Sequence, residues 1–330
     1  MTDTQPLLVT GAAGFIGARF VASCRQRGIP VISVDRPEAF RDRAEHRRID
    51  FGQMVDLEEL FEWMARQRPA LAGIVHLGAC TDTTELNIPY LQNVNVRYSQ
   101  ELWRVAAERR VPFVYASSAA TYGDGSAGYG DEEAALPLLK PLNPYGQSKQ
   151  DVDLWILEQE RTGSPPPTWC GFKFFNVYGF GERHKGKMAS VVLHAFDQIR
   201  TTSRMRLFKS HRPDIPDGHQ KRDFIHVTDV VDVLHFALQK PIQRGIFNLG
   251  TGQARTFLDL ARCVFRELGR PEQIDFIDTP IELRARYQYF TEARMERLRH
   301  EGYAVPFTTL EDGVRTYVRE LLAEASDLHK

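Results

Sequence analysis

The sequence has few cysteines, almost no net charge and no long apolar run, and each absence excludes a class of protein. The four cysteines show neither a C-x-x-C pair nor a ligand spacing with histidine, which predicts free thiols in a reducing cytoplasm and no metal site. A formal net charge of -1 provides no overall field that would recruit nucleic acid or an anionic membrane. No stretch approaches the ~18 apolar residues of a transmembrane helix, and residues 1–14 lack the pattern of a signal peptide, so we expect a cytoplasmic protein.

Strand-like apolar runs alternate with helical patterns up to about residue 180. The runs lie at 6–11, 31–35, 73–78, 112–118 and 170–179, with helical patterns near 14–27, 56–67, 89–110 and 145–160. This alternation predicts βαβ units and an α/β fold, with a Rossmann-type, doubly wound parallel sheet covered on both faces. We therefore expect a dinucleotide-binding domain over 1–179, to which the segment 223–252 returns. Residues 180–330 should form mainly a smaller substrate-binding lobe, with the binding crevice at the carboxyl ends of the strands.

A glycine-rich turn follows the first apolar run. The stretch Gly11-Ala-Ala-Gly14-Phe-Ile-Gly17 has the spacing of a dinucleotide-binding loop, in which the glycines permit a tight turn, close approach of the backbone to a pyrophosphate, and packing of helix on strand. Phe15 and Ile16 open the helix whose N-terminus faces the phosphates. The loop predicts a dinucleotide as cofactor; a tight structural turn is the alternative.

The residues after the second and third turns are the candidates for the adenosine end. Asp35 ends the second run and can accept hydrogen bonds from a ribose, which favours NAD, whereas the adjacent Arg36 can pair with a 2′-phosphate and favours NADP. These two signals conflict. Asp50 and Phe51 are predicted to hold the edge and face of the adenine.

Tyr145 and Lys149 stand four residues apart in NPYGQSK and therefore lie on one face of a helix. A tyrosine with an ordinary pKa near 10 is a poor base at neutral pH, but a nearby lysine and an oxidised nicotinamide stabilise the phenolate. A hydroxyl that shares the substrate oxygen completes such a set. Ser118, at the end of the run 112–118, is the first candidate for it and Thr121 the second. A chance pair on a surface helix is the alternative.

Together these residues resemble the extended short-chain dehydrogenase/reductase superfamily, and within it the ADP-L-glycero-D-manno-heptose 6-epimerase family, essentially from end to end. The stretches that carry the resemblance are HLGACTDTTE (76–85), YASSAATYG (115–123), KPLNPYGQSK (140–149), GFKFFNVYGFGERHKGKMAS (171–190), KRDFIHV (221–227), IFNLGTG (246–252) and ARYQYFT (285–291). HKGxMAS is the most specific of them, since most of the superfamily lacks it.

The resemblance implies an isomerase that inverts C6 of an ADP-heptose. Tightly held NADP, with NAD as the alternative, takes a hydride from C6 and returns it to the opposite face of a transient ketone. Two acid/base residues serve the two faces, and they correspond to Tyr145 and Lys185, with Lys149 on the nicotinamide ribose. Lys185 lies in the basic run Arg183-His184-Lys185-Gly186-Lys187, whose cations are expected to depress the pKa of a lysine base. A solvated basic loop is the alternative reading of this run.

Further positions follow from the same resemblance. The predicted cofactor contacts beyond the glycine loop and the adenosine-end residues are Leu77, Gly78, Ala79, Asn95, Tyr145, Lys149, Val177 and Lys185. The predicted substrate contacts are Ser118, Asn176, Lys187, His194, Phe208, Lys209, Ser210, His211, Arg222 and Tyr287. The family often has serine at Lys187 and glutamate at Leu77, and its loop corresponding to 210–220 is often shorter. These departures bear on the exact sugar and not on the type of reaction.

Three other functions compete with this one. A nucleotide-sugar 4,6-dehydratase needs an acid after the strand-end hydroxyl, but Ala119 and Ala120 follow Ser118. A hexose 4-epimerase would use Tyr145 without an evident need for Lys185. A non-catalytic dinucleotide sensor often loses the tyrosine or the lysine, and both are present.

The resemblance also implies a homo-oligomer, often a pentamer, and a role in lipopolysaccharide core biosynthesis.

Overall fold

The structure is a computed structural model that describes residues 5–240, 242, 244–284 and 287–327. Residues 1–4, at the start of the segment inspected for a signal peptide, lie outside the described residues, and so do Ala285 and Arg286 at the start of ARYQYFT. In chain order the strands are β1 (Leu7–Thr10), β2 (Val31–Asp35), β3 (Gln53–Asp56), β4 (Gly73–His76), β5 (Phe113–Ser118), β6 (Trp169–Phe174), β7 (Asn176–Tyr178), β8 (Met205–Phe208), β9 (Lys221–His226), β10 (Gly245–Leu249), β11 (Ala254–Thr256) and β12 (Ile274–Ile277).

The helices connect and cover these strands. They are α1 (Phe15–Gln26), α2 (Pro37–Arg41), α3 (Leu60–Gln67), α4 (Ile88–Leu91), α5 (Tyr98–Arg109), α6 (Pro144–Thr162), α7 (Val191–Thr202), α8 (Val227–Gln239), α9 (Phe257–Glu267), α10 (Ile281–Arg284), α11 (Glu296–His300) and α12 (Leu310–Asp327). None of the helices in the described ranges is long and apolar enough to cross a membrane.

Within the described residues, seven strands form one parallel sheet in the order β3-β2-β1-β4-β5-β6-β10. The strand order reverses beside β1, so the crevice between β1 and β4 is the switch point where doubly wound sheets bind ligands. Apart from the edge strand β3, the strands of this sheet are mainly apolar runs with both faces buried, as expected for a parallel sheet with helices on both sides. The predicted fold class is confirmed.

A second apolar core lies outside this sheet. It is built mainly from α7, α9 and α12 with residues of β8, and its largest members include Phe196, Phe265 and Tyr317. Two small sheets accompany it, β11-β9-β7 and β12-β8. In the segment 223–252, α8 packs on α1 and β10 joins the main sheet, whereas β9 pairs with β7 and β11. The domain boundaries themselves stay a prediction.

Three predicted elements differ from the structure. The single strand expected over 170–179 is two strands, because the chain passes from the main sheet to a small sheet at Phe175, whose N–H donates to Leu249 O at 3.0 Å. Strand β3 was missed, since it lies at the sheet edge with exposed Gln53 and Met54 and lacks an apolar run. The long helix expected over 89–110 contains a π-helical segment over Gln92–Arg97, a feature that is frequent at functional sites.

Candidate active site

The glycine loop joins β1 to α1 at the switch point, and two of its glycines are required sterically. Gly11 has φ +66°, and a Cβ there would lie 2.5 Å from the Gly78 nitrogen. A Cβ on Gly17 would lie 2.0 Å from the Gly11 carbonyl oxygen. Gly14 is the N-cap of α1 and provides no side chain to its first turn, so N–H groups of that turn remain for an anion. The loop therefore provides a cradle for a pyrophosphate.

Asp35 lies directly beside this loop. Its carboxylate accepts hydrogen bonds from the Ala13 N–H at 3.0 Å and the Arg36 N–H at 2.9 Å. Arg43 donates to the Ala13 carbonyl, and the charge of Asp35 acts on its guanidinium. Sequence reasoning missed Arg43, although the basic stretch after β2 was a signal for it.

The two adenine candidates differ in surroundings. Phe51 is buried, with its ring edge-on to Phe40 and His46 at centroid distances of 4.9 and 5.4 Å. Asp50 is exposed and forms an ion pair with Arg25 on α1. The Asp50 carboxylate thus already has a partner at the surface, and its role at the adenine stays a prediction.

Asn95 links the turn after β4 to helix α6. This fully buried amide accepts from the Cys80 N–H at 2.8 Å and donates to Cys80 O at 3.1 Å and to Ser148 Oγ at 2.9 Å. The Ser148 hydroxyl donates in turn to the Tyr145 carbonyl at 2.7 Å. Leu77, Gly78 and Ala79 lie in the same turn, with Gly78 against Gly11. Asn95 therefore ties the turn after β4 to α6, and its contact with the cofactor stays a prediction.

Residues 143–149 form the first turns of α6. The Asn143 side chain caps the helix by accepting from the Gly146 N–H at 2.7 Å, and Pro144 occupies the first helical position. A Cβ on Gly146 would lie 2.8 Å from Ala120 O, so this glycine permits the close approach of α6 to the end of β5. The sequence of this turn thus places Tyr145 beside Ser118.

The phenol of Tyr145 is buried and hydrogen-bonded to the Ser118 hydroxyl. Burial raises the pKa of Tyr145, and the bond to Ser118 partly opposes that rise. Lys149 Nζ donates to Ala116 O at 2.9 Å, and burial lowers the pKa of Lys149 to about 8. The three predicted residues Ser118, Tyr145 and Lys149 are therefore brought together at the carboxyl end of β5.

Behind them lies a buried polar network that sequence reasoning missed. Asp153, one turn after Lys149, accepts from Tyr115 OH at 2.9 Å, Ser117 Oγ at 2.7 Å and Lys173 Nζ at 2.6 Å. Lys173 also donates to Thr121 Oγ1 at 2.8 Å, and the Thr121 hydroxyl donates to Ser118 O at 2.8 Å. Because its hydroxyl is used in this way, Thr121 is a support of the strand end and Ser118 the better candidate for the substrate.

Lys185 lies in the 3-10 helical segment Arg183–Met188, and its Nζ lies 5.4 Å from the centroid of the Phe15 ring. Its pKa is lowered, but by burial and not by the neighbouring cations that we expected. Arg183 is paired with Asp197 and Glu324, and His184 contacts Glu45. Glu182, at 3.9 Å from Lys185 Nζ, opposes the fall of the pKa. The expectation that neighbouring cations depress the pKa of Lys185 was therefore wrong about the cause, and carboxylates distant in sequence pair with Arg183 and His184.

Arg222 is the centre of an aromatic cluster. Its guanidinium carbon lies 5.5 Å from the ring centroids of both Phe257 and Tyr287, and the Phe208 ring lies edge-on to Tyr287 at 6.4 Å. Arg222 is only 8% exposed, and among the described residues no carboxylate lies within ion-pair distance of it. A buried cation without a counter-charge is costly, so this arrangement suits an anionic ligand. Phe257 was not predicted.

The remaining substrate candidates have less distinctive contacts. Asn176 and Lys187 are exposed, and the cofactor candidate Val177, next to Asn176, is half-buried. The His194 ring contacts Lys187 O at 3.4 Å. In the loop after β8, Lys209 pairs with Asp278, the Ser210 N–H donates to Asp217, and the His211 ring accepts from the Thr279 N–H at 3.3 Å. The substrate roles of these residues stay predictions.

The architecture is that of a doubly wound dinucleotide-binding protein with a tyrosine and a lysine beside the end of β5. The family model described as "NAD dependent epimerase/dehydratase family" matches residues 7–250. The chain belongs to this family, whose members use a nicotinamide dinucleotide, and the relationship predicted from the sequence is confirmed.

Relatives named ADP-L-glycero-D-manno-heptose-6-epimerase match nearly the whole chain. The protein of that name from Fusobacterium nucleatum is 40% identical over 329 residues, which cover 96% of this chain and 98% of that one. The one from Nitratidesulfovibrio vulgaris (strain Hildenborough) is 44% identical, with coverage of 98% and 99%. The crystal structure of ADP-L-glycero-D-manno-heptose-6-epimerase from Helicobacter pylori is similar with a TM-score of 0.80 and 25% identity, covering 97% of each chain.

Proposed function

We propose that this protein interconverts ADP-D-glycero-D-manno-heptose and ADP-L-glycero-D-manno-heptose by oxidation and re-reduction at C6. The observation that carries the proposal is the placement of Lys185 over Phe15 of the glycine loop, on a different element from Tyr145. The resemblance implies that inversion at C6 of the heptose uses two proton-transfer groups, one for each face, whereas a hexose 4-epimerase would have no evident need for the lysine. The relatives' names favour the same reaction.

The residues present fit a nicotinamide dinucleotide. The cradle between Gly11 and Gly17 has no room for a Cβ, and N–H groups at the start of α1 can bind the pyrophosphate. Lys149 is proposed to hold the nicotinamide ribose, and Val177 and the turn 77–79 the nicotinamide end. When bound, the cofactor supplies the hydride acceptor and donor.

The proton transfers fall to Tyr145 and Lys185. As the C6–H bond breaks, its electron pair leaves as hydride and one of the two residues takes the hydroxyl proton, which leaves a ketone. When the hydride returns to the other face, the other residue donates a proton to the oxygen. Burial lowers the pKa of Lys185 towards the range in which a neutral amine accepts a proton. Ser118 is proposed to hold the substrate oxygen with Tyr145.

Arg222 is proposed to bind the substrate diphosphate. Its guanidinium presents paired donors to phosphate oxygens, and the rings of Phe257 and Tyr287 hold it in place. The nucleotide sugar itself supplies the missing counter-charge. Phe208 and Tyr287 then line the sugar-nucleotide site.

The deciding experiment is incubation of the purified protein with ADP-D-glycero-β-D-manno-heptose and no added cofactor, followed by chromatographic separation of the C6 epimers. Conversion supports the reaction and a tightly held dinucleotide. If no conversion occurs even with NADP or NAD supplied, the proposal fails, and hexose 4-epimerase activity on UDP-glucose is the next test.

NADP is the proposed dinucleotide. Arg36 and Arg43 both lie next to Asp35, which is where the 2′-position of the adenosine ribose would fall. Two guanidinium groups offset the repulsion that one carboxylate exerts on a 2′-phosphate. Analysis of the dinucleotide released on denaturation tests this, and Arg43→Gln should weaken NADP binding more than NAD binding.

A homo-oligomer, with a pentamer as the first expectation, is proposed from the resemblance and is tested by light scattering.

A further inference from the structure

The loop that carries Lys185 makes hydrogen bonds to the dinucleotide-binding side of the molecule at a residue distant in sequence, Glu45. The Glu45 carboxylate accepts two hydrogen bonds from His184, one from its backbone N–H at 3.2 Å and one from ring Nδ1 at 2.9 Å. Because an ionised carboxylate only accepts, the proton must lie on Nδ1. The side chains are 6% and 14% exposed, so the contact is shielded from water. Lys185 is the next residue after His184.

The other end of the loop is fixed independently. The buried Glu182 carboxylate accepts from the Ser190 N–H and the Ser190 hydroxyl, both at 2.6 Å. Between these two attachments Gly186 adopts φ +52°, a conformation that breaks the helical turn. The contact with Glu45 therefore ties the Lys185 side of this bend to the segment that follows α2, where the His46 ring also lies beside the His184 ring at a centroid distance of 6.0 Å.

Glu45 belongs to the 3-10 helix Ala44–His46 and follows Arg43, which contacts the glycine loop. Burial opposes ionisation of Glu45, but the hydrogen bonds from His184 and from the Glu45 backbone, with the charge of His184, together outweigh it and lower the pKa to about 2. The carboxylate is thus charged, and the contact persists, throughout the neutral range. A buried carboxylate that stays ionised needs hydrogen-bond donors, and the backbone and ring of His184 provide two of them.

We propose that Glu45 and His184 form a positioning pair that holds the Lys185 ammonium over the glycine loop. The inference rests on the proposed function, because it assigns the pair a role through Lys185. Neither residue is assigned a contact with substrate. Loss of the pair should therefore lower kcat with little effect on KM, since a small misplacement of an acid/base group slows proton transfer without removing a binding contact.

The first test is kinetic and uses Glu45→Gln, His184→Ala and His184→Asn. We expect kcat to fall about tenfold in the first two variants, with KM changed by less than about twofold. His184→Asn should recover part of the rate, because its amide can donate from near the Nδ1 position. The matched control is Glu158→Gln, which removes an exposed carboxylate paired with Arg161 on α6; it should leave kcat unchanged.

A double-mutant cycle separates positioning from a general structural role. In a Lys185→Met background, Glu45→Gln should cause no further loss of kcat, because the residue through which it acts is absent. An equal loss in both backgrounds would overturn the proposal. The proposal would also be overturned if Glu45→Gln had the same kcat as Glu158→Gln in the wild-type background.

Hydrogen exchange tests the Glu45–His184 pair independently of the proposed function, because it does not depend on turnover. Amide exchange over residues 183–188 should accelerate in Glu45→Gln and not in Glu158→Gln, with the strands of the main sheet unchanged as a check of the fold. If the wild type does not turn over ADP-heptose, the proposed function fails while the exchange still decides whether the pair holds the loop. Unchanged exchange over 183–188 would show that it does not.

Discussion

The ammonium of Lys185 lies 5.4 Å from the centroid of the Phe15 ring, so a residue far along the chain is held over the first turn of α1, which follows the glycine loop. The ring face attracts a cation and partly offsets the cost of burying it. At the same time burial lowers the pKa of Lys185, and Glu182 limits the fall. The Phe15 ring thus favours the charged ammonium, whereas burial favours the neutral amine, and a proton-transfer group has to adopt both forms.

The first prediction concerns Lys185 itself. Lys185→Met retains the length and apolar stem but cannot transfer a proton, so we expect kcat for epimerisation to fall by about 10² or more. Bound dinucleotide should be retained. The control is Lys240→Met, which removes an exposed lysine stacked on Phe236 at the end of α8. If Lys185→Met turns over at the control's rate, the lysine belongs to a solvated loop and has no part in the reaction.

The second prediction concerns Tyr145. Tyr145→Phe removes only the hydroxyl that bonds to Ser118, so the helix and the strand end should keep their positions. We expect kcat to fall by about 10²–10⁴ with the dinucleotide still bound, as measured by absorbance after denaturation. Ser118→Ala should have a smaller effect, since it removes a hydrogen bond to the substrate oxygen and leaves the acid/base group. Near-normal turnover by Tyr145→Phe would remove the tyrosine from the mechanism.

The third prediction concerns Arg222. Arg222→Gln should weaken binding of ADP, as an analogue of the nucleotide diphosphate, by about 10²-fold, because charge-assisted hydrogen bonds to the diphosphate are lost. Arg222→Lys retains the charge but loses the planar fork, so an intermediate affinity is expected from calorimetry. The unliganded Arg222→Gln protein should unfold at a temperature no lower than the wild type, since the buried cation donates to the Lys221 carbonyl but pairs with no carboxylate among the described residues. A lower unfolding temperature with unchanged ADP affinity would make Arg222 a structural residue.

The fourth prediction concerns Gly17. In Gly17→Ala the new Cβ would lie 2.0 Å from Gly11 O, so the glycine loop has to move away from α1. We expect loss of the co-purified dinucleotide together with a lower unfolding temperature. Gly28→Ala is the control, because a Cβ at that position meets no atom within 4 Å and only the strain of its φ of +71° is added. Retention of dinucleotide in Gly17→Ala would mean that the loop does not form the phosphate cradle.

Much of the fold was predictable because its strands are short apolar runs buried on both faces, and such runs are evident in sequence. Strand β3 was not, since edge residues such as Met54 need no apolar pattern. In the site, Ser118, Tyr145 and Lys149 were found because one strand end and one helix turn carry them. The environment of Lys185 was mispredicted because Glu45 and Asp197 reach the basic run only after folding. The local sequence shows which residues are charged, but the residues that pair with them are determined by the tertiary structure.

The fifth prediction concerns pH and stability. Burial, as the largest cause, lowers the pKa of His46, His226 and His235 to about 4, from an ordinary value near 6.5. Between these two values the unfolded chain binds protons that the folded chain does not, so the free energy of unfolding decreases as the pH falls from about 6.5 towards 4. Above pH 7 these groups are neutral in both states and contribute no pH dependence.

His235 offers the most direct test of this predicted loss of stability at lower pH. Its Nε2 lies 3.0 Å from Ser23 Oγ and its ring packs on Phe20, between α1 and α8. His235→Gln keeps a polar partner for Ser23 and removes the titrating group, so the unfolding temperature should fall less steeply between pH 7 and pH 5 than in the wild type, even if it is lower at pH 8. His300→Gln, at an exposed position in α11, should keep the wild-type slope. Carboxylates with shifted pKa values are common to all three proteins, so the difference in slope isolates the histidine. Parallel slopes for His235→Gln and the wild type would mean that His235 is not held neutral in the folded state.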